Sequence, residues 1–205
     1  MTLAWTGSAR GPAALLLGPG PWDAFAPGLG ATGYRVLRTD DPAAAMADAA
    51  APEEATLIAH GAGAPAATAW AAAHPDRVVR LILLAPEGVV PRAAPPAEPP
   101  PREGGLLARL PLVRALMARA APEPPAPPPP PPDPEADHRA LGREGVPVVA
   151  LWAGRDEVVP LRGLGVLASW NRAAKQEVVE GAGHDLLATH AAALLDTLRG
   201  VLRED

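Results

Sequence analysis

The sequence predicts an α/β protein with a mostly parallel sheet and helices on both of its faces. Two observations support this fold class. Short apolar runs, typical of buried strands, alternate along the chain with stretches at helical spacing. Parallel strands require crossover helices between them, so this alternation favours a parallel sheet. The length of 205 residues fits one domain, or one domain with an insertion, since domains have about 100–200 residues.

The predicted strands are rich in leucine or β-branched residues, and they cover 13–17, 34–37, 56–59, 78–84, 146–152 and 177–179. Helices are predicted between or after them, over 41–50, 65–74, 161–173 and 185–203. The first helix begins with Asp41 as a capping residue and Pro42 in the first turn, and the last has leucines at helical spacing.

A proline-rich segment from 86 to about 145 interrupts this alternation. Seventeen of the 28 prolines lie between Pro91 and Pro134, and the stretches at 91–105 and 121–137 predict polyproline II or disorder rather than helix. Between them, 106–121 has an apolar stripe that includes Leu110 and predicts one helix. We therefore expect a core of 1–85 and 146–205 with a cap at 86–145; a surface helix on loose linkers explains the segment equally well.

Composition excludes several function classes. The 18 basic and 23 acidic residues give a net charge of −5, which disfavours a nucleic-acid binder. Cysteine is absent, which excludes disulfides, cysteine metal sites and thiol catalysis. No apolar run approaches the roughly 20 residues of a membrane span, and the first residues lack the order of a signal peptide. We expect a cytoplasmic protein that binds neither membranes nor nucleic acid, without metal or cofactor; self-association stays open.

The strand–turn–helix at 56–70 is the most informative segment. Its turn reads His60-Gly61-Ala62-Gly63-Ala64, and Ala59 and Gly63 lie two positions on either side of Gly61. Small residues there let strand and helix nearly touch around a central residue at positive φ. The turn therefore meets the steric demand of a nucleophile elbow.

With this turn the chain resembles the α/β-hydrolase family, and three other segments agree in order. Residues 12–40 look like the family's third strand, the loop after it, the first helix and the fourth strand. Residues 146–160 resemble the loop of the triad acid, which the resemblance places at Asp156, and 178–187 resemble the loop of the triad base, placed at His184. The proline-rich segment occupies the variable cap position. The resemblance thus implies a reduced α/β-hydrolase fold.

The chain departs from the family at the nucleophile. Gly61 occupies that position and has no side chain, so no acyl-enzyme can form there. The amide of Ala62, normally the first oxyanion donor, is kept. In the loop of the second donor the chain has Gly18-Pro19-Gly20, and Pro19 has no N–H. Conventional serine hydrolysis is not expected, and the sequence leaves open whether the chain is an enzyme.

The resemblance implies a site at the carboxyl ends of the strands. His184 would be a general base whose tautomer Asp156 holds, and the amide of Ala62 would donate to developing negative charge. We expect His60, just before the turn, to have a packing role. The residues expected to contact the substrate are Gly18, Gly20, Trp22 and Leu110.

Three functions are consistent with these residues. The first is a cofactor-independent enzyme that acts on a small, largely apolar organic molecule by proton transfer, of lyase, isomerase or cyclisation type. The second is a catalytically silent protein that binds a ligand or a partner, with His184 and Asp156 as a relic pair. The third is a serine esterase or hydrolase whose nucleophile has been replaced by Gly61. The sequence does not show whether that replacement is natural or engineered.

Overall fold

A computed structural model of the chain describes residues 4–47, 51–90 and 133–202. The predicted helix at 106–121, Leu110 and most of the predicted cap lie outside the described residues. So do 48–50 and 203–205, at the ends of two predicted helices.

Seven strands form one sheet in the order β1-β3-β2-β4-β5-β6-β7. Neighbouring strands pair in parallel, except that β1 is antiparallel to β3. The strands are β1 (Thr6–Gly7), β2 (Ala13–Leu17), β3 (Arg35–Arg38), β4 (Ala55–His60), β5 (Val78–Leu84), β6 (Val148–Ala153) and β7 (Lys175–Val179). The predicted mostly parallel sheet is confirmed, and each predicted strand is present with ends moved by at most two residues. Strand β1 was missed because two residues are too few to show a period of two.

Helices cover both faces of the sheet. They are α1 (Trp22–Ala31), α2 (Pro42–Ala47), α3 (Ala64–Ala73), α4 (Pro134–Glu144), α5 (Gly163–Trp170), α6 (Leu186–Thr189) and α7 (Ala191–Leu202). The apolar residues of α2 to α5 bury against one face, and those of α1, α6 and α7 against the other. The helix predicted over 185–203 is divided at His190, whose backbone (φ −127°, ψ 24°) leaves the helical region. Among the helices of the described ranges, none has the length and apolar character that a membrane crossing requires.

The central strands alternate their side chains between the two faces. Leu15, Leu57 and Leu81 point to one apolar cluster, and Leu16 and Ile58 to the other. All five are fully buried. Each such side chain contributes about 1.5–3 kcal/mol by leaving water. The buried sheet therefore sets the position of the loops that follow its strands.

Helix α4 corrects the sequence analysis, which expected no helix at 121–137 and assigned residues up to 145 to the cap. Asp133 caps the helix, because its Oδ1 accepts a hydrogen bond from the amide of Ala136 at 3.2 Å. Pro134 occupies the first turn, where the missing N–H has no partner to lose. Gly145 ends the helix with φ +74°. Because Leu141 of this helix is buried in the same apolar cluster as α3, residues 133–145 belong to the core.

His138 of α4 is a buried polar residue of this core. Its side chain is 1% exposed, and its ring stacks on that of Trp170 with 6.1 Å between centroids. Burial lowers the pKa of His138 from 6.5 to about 4, because the charged ring would lose its hydration. Burial and the nearby Asp133 raise the pKa of Asp137, which precedes it. The helix therefore carries a neutral imidazole in the folded state.

We expect the free energy of unfolding to fall on acidification because of His138. The unfolded chain takes up a proton near 6.5 and the folded chain only near 4, so the unfolded state binds more protons in between. The predicted loss is about 2–3 kcal/mol between neutral pH and about pH 4.5. Urea unfolding at both pH values measures it. The free energy of unfolding of the variant His138→Phe, whose side chain cannot be protonated, should fall markedly less on acidification. An equal fall in the two proteins would contradict the neutral state of His138 in the fold.

Candidate active site

The carboxyl ends of the parallel strands meet at one edge of the sheet. The loops that follow these strands supply the candidate residues Gly18 (after β2), Gly61 (β4), Glu87 (β5), Asp156 (β6) and His184 (β7). Residues far apart in the sequence are thereby brought together, as is general for ligand sites of open α/β sheets.

Asp156 and His184 are in contact. Oδ2 of Asp156 lies 3.0 Å from Nδ1 of His184. The other carboxylate oxygen, Oδ1, accepts hydrogen bonds from the amides of Val158 and Val159, each at 2.8 Å. The Asp156 side chain is 0% exposed, whereas that of His184 is 27% exposed. Because a carboxylate only accepts, Nδ1 of the neutral imidazole donates to it, and Nε2 carries the lone pair.

The basic nitrogen of His184 faces the turn after β4. Gly61 has φ +51° and begins a short 3₁₀ turn, Gly61–Gly63, that leads into α3. A Cβ atom built on Gly61 would lie 3.2 Å from Nε2 of His184. Any other residue at this position would destabilise the fold by about 1–2 kcal/mol, because a Cβ atom disfavours the left-handed backbone conformation. The structure thus places the imidazole beside a position that carries no side chain.

Two glycines allow the loop after β2 to touch this turn. A Cβ on Gly63 would lie 2.6 Å from Cα of Gly18, so neither position has room for a side chain. Ala62 is exposed at the start of the turn, where helical amides have no acceptor within the helix. A cavity of about 200 Å³ is lined by Gly18 and Ala62, among others. Gly20 lies farther along the same loop, and a Cβ there would meet Leu187.

Trp22 does not fit its expected role as a substrate contact. It is 1% exposed and packs in the core, edge-on to Phe25. Its indole Nε1 donates a hydrogen bond to the carbonyl of Gly18 at 2.8 Å. A buried indole needs such a partner, and the loop carbonyl supplies it. The hydrogen bond from buried Trp22 therefore holds the Gly18 loop against the core.

His60 has a larger role than the packing expected from the sequence. Its Nδ1 lies 2.6 Å from the carbonyl oxygen of Pro19, and its Nε2 lies 3.0 Å from that of His184. The ring is buried and lies 5.2 Å from the ring of His184, centroid to centroid. His60 thus ties two loops of the site to the end of β4. The sequence holds no local signal for this, because both contacts are made across the fold.

Glu87 is a candidate site residue that the sequence analysis missed. Its Oε1 lies 3.7 Å from Nε2 of His184 and 3.4 Å from a Cβ built on Gly61. Its amide donates a hydrogen bond to the carbonyl of Gly61 at 3.2 Å. The residue was overlooked because 86 was taken as the start of the proline-rich segment. Its place just after β5, at the same sheet edge as the other loops, was the available signal.

No family model and no curated protein sequence matches the chain. Solved structures match the backbone of the chain. An alpha/beta hydrolase enzyme from a lagoon-sediment metagenome is 13% identical over 100% of this chain and 96% of that one, with a TM-score of 0.62. A thioesterase domain from the curacin biosynthetic pathway is 19% identical over 96% and 94%, with a TM-score of 0.62. The 2-hydroxy-6-oxo-6-phenylhexa-2,4-dienoate hydrolase of Rhodococcus is 17% identical over 99% and 96%, with a TM-score of 0.63. At these identities the likeness concerns the path of the backbone.

Proposed function

Because the chain has the α/β-hydrolase fold, we propose that it is a cofactor-independent enzyme that acts on a small, largely apolar organic molecule without a covalent intermediate. His184 is its general base and Asp156 orients that base. The observation that carries the proposal is the contact of Asp156 with Nδ1, which leaves Nε2 directed at Gly61. Reactions of lyase, isomerase or cyclisation type need only such a base.

The proposed mechanism has two parts. Nε2 of His184 takes a proton from the substrate or from water, and the carboxylate of Asp156 stabilises the imidazolium that forms. The amide of Ala62 donates a hydrogen bond to the negative charge that develops on a substrate oxygen. A positioned general base typically increases the rate of a reaction by a factor of about 10²–10⁴.

Acyl transfer through serine is not available to this chain. Gly61 has no hydroxyl, and the sequence has only two serines. The amide of Ser8 bonds to the carbonyl of Tyr34 near the edge strand β1, and Ser169 is exposed on α5 with its hydroxyl bonded to Val166. Neither belongs to the loops that surround His184. Proton transfer is therefore the chemistry that the arrangement supports best.

Ring opening of 5-nitrobenzisoxazole tests the proposal, because this small aromatic molecule reacts when a base removes one carbon-bound proton. We expect wild-type protein to catalyse the reaction and His184→Ala to lose about 10²-fold or more in rate. The matched control is His74→Ala, which removes an exposed imidazole outside the site. Equal rates for wild type and His184→Ala would overturn the proposal and favour a catalytically silent binding protein.

A further inference from the structure

We propose that Glu87 is a second catalytic residue, which holds a water molecule against His184 so that the site hydrolyses uncharged esters in a single displacement. The inference rests on the proposed function, since the proton that His184 removes is taken from this water. It goes further by naming the nucleophile, the substrate class and a residue with a separate task.

The first argument is the geometry around Gly61. Nε2 of His184 and Oε1 of Glu87 lie 3.7 Å apart and converge on the side of Gly61 where a side chain would project. Two acceptors at this separation can each receive one hydrogen of the same water through hydrogen bonds of about 2.8 Å. Because Gly61 has no side chain, no atom of a residue-61 side chain occupies the space between the two acceptors. A water here takes the place that a serine hydroxyl would have.

The second argument is the backbone that brings Glu87 to this place. Ala85, directly after β5, has φ +45°, and it is the one non-glycine residue with positive φ within the described ranges. It is fully buried, and its amide bonds to the carbonyl of Leu151 at 2.8 Å. This unfavourable conformation turns the chain so that the amide of Glu87 reaches the carbonyl of Gly61. Backbone strain of this kind clusters at functional sites.

The third argument is charge. Asp156 lies at Nδ1 of His184 and Glu87 lies near Nε2, so a carboxylate flanks each ring nitrogen. Asp156, at hydrogen-bond distance from Nδ1, stabilises the imidazolium that forms when the base takes a proton, whereas Glu87 is left to hold the water. The Glu87 side chain is 27% exposed, and its negative charge would repel a substrate that carries a carboxylate near the reacting bond. The site therefore favours uncharged esters.

The hydrolytic step balances without another reactant. As the water oxygen forms a bond to the ester carbonyl carbon, one water proton moves to Nε2 of His184, and the carbonyl electron pair moves to oxygen beside the amide of Ala62. The electron pair on that oxygen then re-forms the carbonyl as the bond to the leaving alkoxide breaks, and the imidazolium gives its proton to the leaving oxygen. Glu87 accepts a hydrogen bond from the second water hydrogen and is unchanged at the end. The products are one acid and one alcohol.

Two probes separate the role of Glu87 from that of His184. Hydrolysis of p-nitrophenyl butyrate requires water as the nucleophile, whereas ring opening of 5-nitrobenzisoxazole requires only the base. We expect Glu87→Ala to lower kcat for the ester by about 10- to 100-fold with little change in KM. The same variant should open 5-nitrobenzisoxazole within about threefold of the wild-type rate. Glu87→Gln keeps an acceptor oxygen and should lose less ester activity than Glu87→Ala.

The control is Glu144→Gln, which neutralises an exposed carboxylate on α4 and should leave both rates unchanged. Circular dichroism of each variant verifies folding. If Glu87→Ala slows both probes alike, Glu87 acts only through the placement of His184, and the inference is overturned. A butyryl adduct on the protein, detected by mass spectrometry during turnover, would also overturn it.

The inference and the proposed function fail in different ways. Ring opening that depends on His184, together with ester hydrolysis that does not, overturns the inference and leaves the proposed function intact. Loss of His184 dependence with both probes overturns the proposed function itself, and the inference with it.

Discussion

We expect replacement of Asp156 by Asn to lower the His184-dependent opening of 5-nitrobenzisoxazole by about 10²- to 10⁴-fold. The reason lies in the hydrogen bonds of the carboxylate. Oδ1 accepts from two backbone amides, those of Val158 and Val159, so an Asn side chain must place its own oxygen there. Its NH₂ group then faces Nδ1 of His184 and donates to it. The neutral imidazole is forced to carry its proton on Nε2, which can no longer act as the base.

Initial rates of wild-type protein and Asp156→Asn measure this effect. The control is Asp185→Asn, which removes the exposed carboxylate next to His184 in sequence; its backbone carbonyl bonds within α6, so the helix start is kept. The two hydrogen bonds to Oδ1 are kept in Asp156→Asn, and we expect its free energy of unfolding to stay within about 1 kcal/mol of wild type. Full activity of Asp156→Asn would show that the orientation of His184 is irrelevant to the reaction.

We expect replacement of His60 by Phe to lower the free energy of unfolding by about 1–3 kcal/mol. Phenylalanine keeps the ring but removes both ring nitrogens, which lie at hydrogen-bond distance from the carbonyls of Pro19 and His184. A neutral imidazole has one N–H and donates to one of these carbonyls at a time, so the variant leaves that buried carbonyl without its donor. Because the same contacts fix the loop of His184, the rate of ring opening should fall in parallel.

Urea unfolding of wild-type protein and His60→Phe measures the loss of stability. His74→Phe is the matched control, because His74 is exposed and a change there should stay within about 0.5 kcal/mol. A His60→Phe protein as stable as wild type would contradict the role of His60 as a tie between the two loops.

Local patterns in the sequence were sufficient for the sheet, whereas Asp156 and His184 were predicted from the resemblance to the α/β-hydrolase family. Apolar periodicity predicted the strands, and Asp156 and His184 lie in the loops after β6 and β7, which end at the same edge of the sheet. Helix α4 was missed because a proline was treated as a helix breaker, although Asp133 before it is a capping residue and the first turn tolerates proline.

The remaining site residues depend on contacts that no local pattern encodes. Glu87 meets His184 across 97 positions of sequence, and the turn that delivers it requires a positive φ at Ala85, a residue type that rarely adopts one. His60 likewise contacts residues at separations of 41 and 124. Trp22 was misjudged because an aromatic residue near a site loop can support the loop as well as line it. Such contacts follow from the packed fold.

The central claim is that the basic nitrogen of His184 faces the position where Gly61 carries no side chain. The tautomer of His184 tests it most directly, through long-range ¹H–¹⁵N correlation spectra of labelled protein at about pH 8, where a free imidazole is neutral. His184→Ala assigns the resonances. We predict a proton on Nδ1 in the wild type and a proton on Nε2 in Asp156→Asn. A wild-type ring protonated on Nε2 would contradict the claim, because no lone pair would then face Gly61.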